Sequence, residues 1–387
     1  MKKLTLNILA TFMVLFYAAE GDCMAITNNK TNETKPVNKV DSLQLEIMPI
    51  PLASKASLTD SVSRPYITVY KEWFAWCPSV IKADDGKYHM FHVRWPKKYS
   101  FLSWLTHSEI VHAVADRPEG PYRELAVAMP SAGDGRGDWF TAHNSKIKYF
   151  EGKYYLYFIQ TRGDSFADNS KAKRIEMART GYKHPLWKNE ARPNQRTFVA
   201  ASDSLNGPWV VTPEPIIQPA KTITTLTVNP AVCRGPNGTY FMIIKGDKPN
   251  EKRFIRNQAL ATAPSPEGPW TIQDKPVIDN LDTEDASIWY DSVRKRFYAV
   301  FHAHGFIGMI TSVDGYNWEK ATQYKLTPKI IKFDDGSRWK PQRMERPFVL
   351  TDSQGQPILL FVACRQDNMS ANIALPLRVT DTKLTSF

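Results

Sequence analysis

The sequence predicts an all-β fold, specifically a five-bladed β-propeller, on three observations. Five strand–turn–strand hairpins follow one another along the chain, a short apolar segment precedes each hairpin, and a small-residue turn ending in an aromatic residue recurs between them. The sequence has no long stretch of helical periodicity. A repeat that supplies several strands per unit is typical of a propeller, in which each unit forms one blade.

Each hairpin consists of two runs rich in apolar and aromatic residues on either side of a polar turn. The first, KADDGKYHMFHVRW at 82–95, has Asp-Gly between its runs, which is the strongest short-range signal for a hairpin. The others are KYFEGKYYLYFIQ at 148–160, CRGPNGTYFMIIKG at 233–246, YDSVRKRFYAVFHAHG at 290–305 and LTDSQGQPILLFVACR at 350–365. Five such units predict five blades.

An aromatic turn follows the outer strand of the first four units. The copies are ADRPEGPYREL at 115–125, ASDSLNGPWVV at 201–211, APSPEGPWTIQ at 263–273 and the looser SVDGYNWEKAT at 312–322. Glycine and proline form the turn, and we expect the aromatic residue to pack between neighbouring blades. The fifth unit lacks this turn. NIALPLRV at 372–379 is therefore expected to complete a blade with a strand near 64–70, which removes exposed sheet edges.

The N-terminal segment predicts export. Residues 1–25 form a signal peptide, in which Lys2 and Lys3 precede an apolar run and small residues follow it. We expect a secreted or periplasmic protein, with lipidation of Cys23 as the alternative. Residues 26–63 are polar and predict a linker or N-terminal arm, although LQLEIM within it could form a short strand. Residues 64–387 are the predicted propeller and catalytic domain, and no later run is long enough to span a bilayer.

Composition narrows the function. The chain of 387 residues carries a net charge of +11, which suits an acidic polysaccharide, a nucleic acid or an anionic membrane surface. The lysines are dispersed and no nucleic-acid-binding motif is present, so a nucleic-acid partner is not expected. Cys77, Cys233 and Cys364, the cysteines left after cleavage, show neither a disulfide framework nor zinc-ligand spacing.

Candidate site residues cluster at the starts of the inner strands. In a propeller these strands line a central channel, so equivalent positions converge there. The pairs are Trp76–Cys77, His143–Asn144, Val228–Asn229, Glu284–Asp285 and Glu345–Arg346. Polar residues at these positions indicate a site, although Asx and Glu side chains also cap strand ends. Two insertions, 96–110 and 162–196, exceed the needs of the repeat and are expected to shape a binding site.

The sequence of the repeats resembles that of the five-bladed propeller glycoside hydrolases of families 43, 62, 32 and 117. The resemblance spans about residues 64–379 and rests on ATAPSPEGPW, HNSKI, EGKYYLYF, EDASIWYD and MERPFVL. It implies a glycosidase, and from the converging carboxylates we expect an exo-acting, inverting enzyme that removes a terminal sugar from a plant or algal oligosaccharide or polysaccharide. It also implies an aspartate base in the first blade, a middle-blade aspartate that tunes pKa and a later glutamate acid.

The residues match this pattern in part. Glu345 matches the acid and Asp285 the inner aspartate, but Cys77 stands where the first-blade aspartate is expected. This departure keeps a non-catalytic glycan-binding propeller open as the alternative. Histidine titrates near neutrality, and the resemblance to family 117 implies a histidine acid. The catalytic candidates are therefore Glu345, Asp285, Glu284 and His302.

A second group of residues is expected to bind substrate. Arginine binds a carboxylate or sulfate at two points, so Arg94, Arg346 and Arg365 favour an anionic sugar. The residues expected to bind substrate are His143, Asn144, Asn229, Arg94, Arg346, Trp76 and His304. No cofactor and no catalytic metal are expected; a structural calcium ion held by Asp285 or Glu284 in the channel is the open alternative.

Overall fold

The computed structural model describes residues 41–131, 139–166 and 170–381, and these form a five-bladed β-propeller. The predicted all-β fold class is therefore confirmed. The predicted signal peptide, Cys23 and the first part of the predicted linker lie outside the described residues and stay predictions. Within the described ranges, no helix is both long and apolar enough to cross a membrane.

The first two strands along the chain, β1 (Leu43–Ile47) and β2 (Ile67–Val69), belong to the last blade. The next two blades are antiparallel four-stranded sheets whose strands follow chain order from the inside outwards. Blade one contains β3 (Trp73–Lys82), β4 (Tyr88–Pro96), β5 (Glu109–Ala115) and β6 (Arg123–Met129). Blade two contains β7 (Trp139–Phe150), β8 (Lys153–Arg162), β9 (Gln195–Ser202) and β10 (Val210–Val211).

Blades three and four have the same order. Blade three contains β11 (Thr224–Arg234), β12 (Tyr240–Asp247), β13 (Arg256–Ala263) and β14 (Thr271–Ile278). Blade four contains β15 (Thr283–Asp291), β16 (Arg296–Ala303), β17 (Ile307–Ser312) and β18 (Glu319–Thr327). A two-stranded ribbon, β19 (Ile331–Lys332) with β20 (Arg338–Trp339), then leads to blade five.

Blade five closes the ring with strands from both ends of the described chain. It contains β21 (Arg343–Thr351), β22 (Pro357–Gln366) and β23 (Met369–Asp381), and β23 pairs with both β2 and β1. Pairing of the 372–379 segment with a strand near 64–70 is thus confirmed. The short strand that LQLEIM could form is also present, because Leu43–Ile47 pairs with β23 over five residues. Its alternating L-Q-L-E-I pattern buries Leu43 and Leu45 against the blade.

The aromatic turns pack between blades, as predicted. Trp209 of blade two meets Phe91 of blade one edge to face, with ring centroids 5.6 Å apart. Tyr122 of blade one approaches Phe361 of blade five in the same way, at 6.3 Å. Each contact buries aromatic surface along a seam between two sheets, which ties the blades into one ring.

Short helices lie in the connections between strands. The α-helices are α1 (Ser57–Asp60), α2 (Trp104–His107) and α3 (Ser170–Thr180). The 3-10 helices span Leu52–Ala56, Phe101–Ser103, Asp164–Phe166 and Gly181–Lys183, and a π-helix spans Trp187–Ala191. Leu105, Phe140, Phe166, Met177 and Ala191 form one buried cluster that joins both insertions to strand β7. The insertions therefore fold together over the start of this inner strand.

Candidate active site

Every inner strand carries a β-bulge at the same position. The strand register shifts between Trp76 and Ser79, His143 and Lys146, Val228 and Ala231, Glu284 and Ser287, and Glu345 and Phe348. The second residue of each predicted pair has a left-handed backbone, with φ of 53° at Cys77, 58° at Asn144, 58° at Asn229, 64° at Asp285 and 56° at Arg346. Bulges redirect side chains, and strained non-glycine residues concentrate at functional sites.

These bulges surround a cavity of about 690 Å³. The first residue of each pair lines it: Trp76, His143, Val228, Glu284 and Glu345. Among the second residues, Asn229 and Arg346 also reach the cavity wall. The five strand starts, which lie far apart in sequence, thus meet around one space.

Glu284 is an ionised carboxylate on the cavity wall. It accepts a 2.5 Å hydrogen bond from Arg256, and the Lys245 ammonium lies 3.7 Å away. Burial alone would raise the pKa of Glu284. The nearby His302 imidazole and the positive charges of Lys245 and Arg256 outweigh burial and hold this pKa well below its usual value.

Asp285 lies behind the wall and holds two of its neighbours in place. It accepts a hydrogen bond from the Asn229 amide at 2.7 Å and is ion-paired with the Arg346 guanidinium. Burial raises the pKa of Asp285, and the charge of Arg346 opposes that rise. The arrangement fixes two cavity residues from blades three and five through one buried carboxylate.

Glu345 has fewer charged contacts than the other two carboxylates. Its side chain is 16% exposed, and the ion pair with Arg343 is long, at 3.6 Å. Glu345 therefore faces the cavity with its carboxylate oxygens open to a bound molecule. Of the three acidic residues, it is the one best placed to exchange a proton with a ligand.

The three predicted histidines occupy different environments. His302 is buried, with Nδ1 3.6 Å from a Glu284 oxygen and 3.7 Å from an Asp285 oxygen. His143 stacks on Trp104 at 4.5 Å, and burial followed by the charge of Arg346 lowers its pKa well below the usual value, so it is neutral. His304 is 74% exposed at the rim, with Nε2 2.7 Å from Arg256.

Two residues at the bulges cannot serve as acid or base. Burial raises the pKa of Cys77 to about 12, so its thiol stays protonated, and its Sγ lies 3.7 Å from His143 Nε2. Asn144 is buried and does not line the cavity. Its side-chain amide has no hydrogen-bond partner among the described residues.

Arg94 does not belong to this site. It lies in blade one outside the cavity wall, opposite Glu109 in the ladder. Its guanidinium contacts Glu109 at 2.8 Å and Glu124 at 2.6 Å and stacks over Trp73 at 4.2 Å. Two carboxylates already occupy its donors, so the expectation that Arg94 binds substrate is corrected.

Other wall residues come from segments that the strand pattern did not single out individually. Tyr182 and Trp187 belong to the second insertion, Phe254 to the loop before β13, and Lys245 and Arg256 to second and third strands. The aromatic and basic composition of the insertion was the available signal for the first two. The sequence contains no signal that would place Lys245 and Arg256 at the cavity, because only tertiary packing turns these strand ends towards it.

A calcium ion does not fit the acidic part of the site. Glu284, Asp285 and His302 each offer one ligand atom within 4.8 Å of the others. Calcium takes six to eight oxygen ligands. Here one of the three ligands is an imidazole nitrogen, and both carboxylates are already paired with the arginines Arg256 and Arg346. The positive charges that balance Glu284 and Asp285 would repel a divalent cation.

Several solved structures have folds similar to that of this chain. A family 117 glycoside hydrolase produced by the marine bacterium Zobellia galactanivorans has a TM-score of 0.56 at 16% identity, covering 87% of this chain and 91% of that chain. Fructan 1-exohydrolase IIa from Cichorium intybus has a TM-score of 0.55 at 15% identity, covering 84% of this chain and 61% of that chain. An α-L-arabinofuranosidase from Lactobacillus brevis has a TM-score of 0.51 at 16% identity, covering 78% and 90%.

At these identities the likeness establishes the fold, and it confirms the resemblance to five-bladed propeller glycoside hydrolases at that level. No protein-family model and no curated protein matches the chain.

Proposed function

We propose that this protein is a secreted or periplasmic glycoside hydrolase that removes a terminal sugar from an oligosaccharide or polysaccharide. The observation that carries this proposal is that Glu284 and Glu345, from neighbouring blades, line one cavity with aromatic walls. Glycosidic hydrolysis uses two carboxyl groups on either side of the bond to be cleaved. The solved structures of the same fold include hydrolases of several glycosidase families.

The contacts of each group support different roles. Glu345, with its single long ion pair, would protonate the leaving-group oxygen. Glu284, kept ionised by Arg256 and Lys245, would accept a proton from the attacking water, with His302 adjacent to receive it. Asp285 does not reach the cavity wall and would act by positioning Arg346 and Asn229. Such a division of acid and base is that of an inverting enzyme.

The two insertions that cover the cavity support action at the end of a glycan. Trp104, Tyr182 and Trp187 line the cavity from one side, and Trp104 meets Trp187 edge to face at 6.3 Å. Aromatic rings of this kind offer flat apolar surfaces against which a sugar ring can stack. A wall built over the inner strands favours a terminal sugar entering the cavity over a polysaccharide passing across it.

The experiment compares Glu345→Gln and Glu284→Gln with the control Glu319→Gln on the exposed outer strand of blade four. Each purified protein is incubated with plant and algal oligosaccharides, and released sugars are measured by chromatography. We expect a loss of about 100-fold or more in both cavity variants, because general acid–base groups contribute that much, and little change in the control. Melting temperatures are measured in parallel, and proton NMR of the first product gives its anomeric configuration.

Near-normal turnover in Glu345→Gln would contradict this proposal. Release of the retained anomer would contradict inversion alone. A second candidate, a glycan-binding propeller without hydrolysis, is favoured by Cys77, whose protonated thiol occupies the first-blade position where the resemblance implies an aspartate. That candidate requires oligosaccharide binding by calorimetry with no sugar released from the same sample.

A further inference from the structure

Two arginines of like charge face each other in blade five, and one of them, Arg343, lines the cavity. Arg343 on β21 and Arg365 on β22 are direct partners in the strand register. Both guanidinium groups lie over the ring of Phe101, with the carbon at 5.7 Å for Arg343 and 4.2 Å for Arg365. Like charges directly opposite each other destabilise a sheet, so this pair needs a compensating interaction.

The protein's own carboxylates compensate the pair only weakly. Arg343 has its ion pair with Glu345 at 3.6 Å, and Arg365 Nε donates to the backbone oxygen of Asp367 at 3.0 Å. The carboxylate of Asp367 accepts hydrogen bonds from the amides of Gln342 and Gln366. Burial, and then the charge of Arg343, lower the pKa of Arg365. Two cations therefore lie side by side on one aromatic ring.

The pair adjoins the proposed acid. Phe101, Arg343 and Glu345 all line the cavity, and residues two apart on a strand share a face. A group bound by the two guanidiniums would therefore lie beside the carboxyl group of Glu345. The sugar that carries this group would therefore also lie beside Glu345.

Among the described residues, the cavity wall as a whole, Arg343 included, has an excess of positive charge. Seven lysines and arginines and two glutamates line it, and only three of those arginines or lysines have an aspartate partner behind the wall. Lys329 and Lys340 form no ion pair within the described ranges, and the Lys329 ammonium donates to the His304 backbone oxygen at 3.0 Å. A wall of this charge attracts anions and raises their local concentration at the cavity.

We propose that Arg343 and Arg365, supported by Phe101, form a subsite for an oxyanion substituent, a carboxylate or a sulfate, on the sugar bound beside Glu345. Guanidinium groups bind both oxyanions at two points. This inference rests on the proposed function and narrows its substrate to an acidic glycan. The chain's net charge of +11 agrees with such a substrate.

The test uses pairs of oligosaccharides that share a backbone and differ only in charge. One pair is an oligogalacturonide and its methyl ester, and the other is a sulfated galactan oligosaccharide and its desulfated form. The ratio of kcat/KM for the charged member to that for the neutral member is measured for the wild type and for the double variant Arg343→Met with Arg365→Met. Arg378→Met, at an exposed ion pair elsewhere in blade five, is the matched control.

We expect a wild-type ratio of about 10 or more in one pair, since hydrogen bonds to charged groups contribute on that scale. The responding pair identifies the oxyanion as carboxylate or sulfate. The double variant should bring the ratio close to 1, and Arg378→Met should leave it unchanged. A wild-type ratio below about 10 in both pairs, or a ratio that the double variant does not alter, overturns the subsite while leaving hydrolysis intact.

Calorimetry on the same pairs separates this inference from the proposed function. If no member is cleaved, the hydrolytic function fails, and the binding constants then decide the subsite alone. Binding of a charged member about 10-fold tighter than its neutral partner, lost in the double variant, supports the subsite. Equal binding of both members overturns it.

Discussion

A buried lysine just beyond the cavity provides a quantitative test of the electrostatics in this propeller. Lys146 follows the bulge of β7, and only 3% of its surface is exposed. Its Nζ has no hydrogen-bond partner among the described side chains and backbone, and it lies 5.4 Å from the centre of the Phe348 ring. Burial lowers the pKa of Lys146 from 10.5 to about 8. We predict that Lys146→Met stabilises the protein at neutral pH.

The magnitude follows from the change in proton affinity. A drop in pKa from 10.5 to about 8 corresponds to roughly 3 kcal/mol, since each tenfold change is worth about 1.4 kcal/mol. The lost interaction of the ammonium with the Phe348 ring offsets about 1 kcal/mol of this gain. Methionine has a similar length and fills the same space with apolar atoms. The expected gain in the free energy of unfolding is therefore about 2 kcal/mol at pH 7.

The gain in the free energy of unfolding from Lys146→Met must decrease as the pH rises. Below pH 8 Lys146 is protonated in both the folded and unfolded states, so the folded wild type carries the full penalty of a buried charge. Between pH 8 and 10.5 the folded state loses the proton first, the unfolded state binds more protons, and wild-type stability rises with pH. The charge penalty that methionine removes should therefore fall below about 1 kcal/mol by pH 10.

Urea unfolding at pH 7 and pH 10 measures both quantities. Lys153→Met is the control, because Lys153 lies on the adjacent strand β8, is 55% exposed and has only a 3.9 Å contact with Asp203. The control should change the free energy of unfolding by less than about 0.5 kcal/mol at either pH. A destabilised Lys146→Met, or a gain of equal size at both pH values, would show that the ammonium is well solvated or paired and would refute this reasoning.

Two further predictions follow from packing and from the charges around Glu284. Removing divalent cations with EDTA should leave the melting temperature, measured by calorimetry, and the turnover of oligosaccharide, measured by chromatography, unchanged. The reason is that Arg256 and Arg346 already balance the charges of the buried carboxylates. A loss of stability or turnover that calcium restores would disprove this. Gly308→Ala should destabilise the protein by about 1–3 kcal/mol in urea unfolding, because its Cβ would overlap the buried Phe301 ring. Gly305→Ala, with nothing within 4 Å of the added Cβ, is the control, and equal stability of the two variants would contradict the packing argument.

The fold was largely predictable because its signals are local. Each hairpin has its turn and both strands within about a dozen residues, so the repeat is visible without knowledge of long-range contacts. The strand Leu43–Ile47 was harder to assign, because its partner lies more than 300 residues away in β23 and its surroundings are polar. Arg94 illustrates the same limit for side chains, since its partner Glu124 is fixed only by the pairing of three strands.

The left-handed backbone at the bulges was not predictable for a specific physical reason. Proline follows Cys77, Asn229 and Arg346, and a residue before proline is ordinarily extended. Local preference therefore argues against the left-handed backbone at these three positions, whereas Asn144 and Asp285, which no proline follows, are residue types that adopt it more readily. The sequence identified which residues converge, but the backbone turn that directs the first residue of each pair to the cavity depends on closure of the ring.

The position of Cys77 explains how charge is distributed in this cavity. A carboxylate at the first-blade bulge would share Arg346 with Asp285, whereas the protonated thiol leaves Asp285 as the residue that pairs with Arg346. The acidic residues of the wall consequently lie in blades four and five, and Trp76, Trp95 and Trp104 lie on the side of blade one. Under the proposed function, a sugar ring that stacks on Trp104, the partly exposed member of the three, presents its glycosidic bond to Glu284 and Glu345. Acid and base then approach the bond from neighbouring blades, in place of the first-blade base that the resemblance implies.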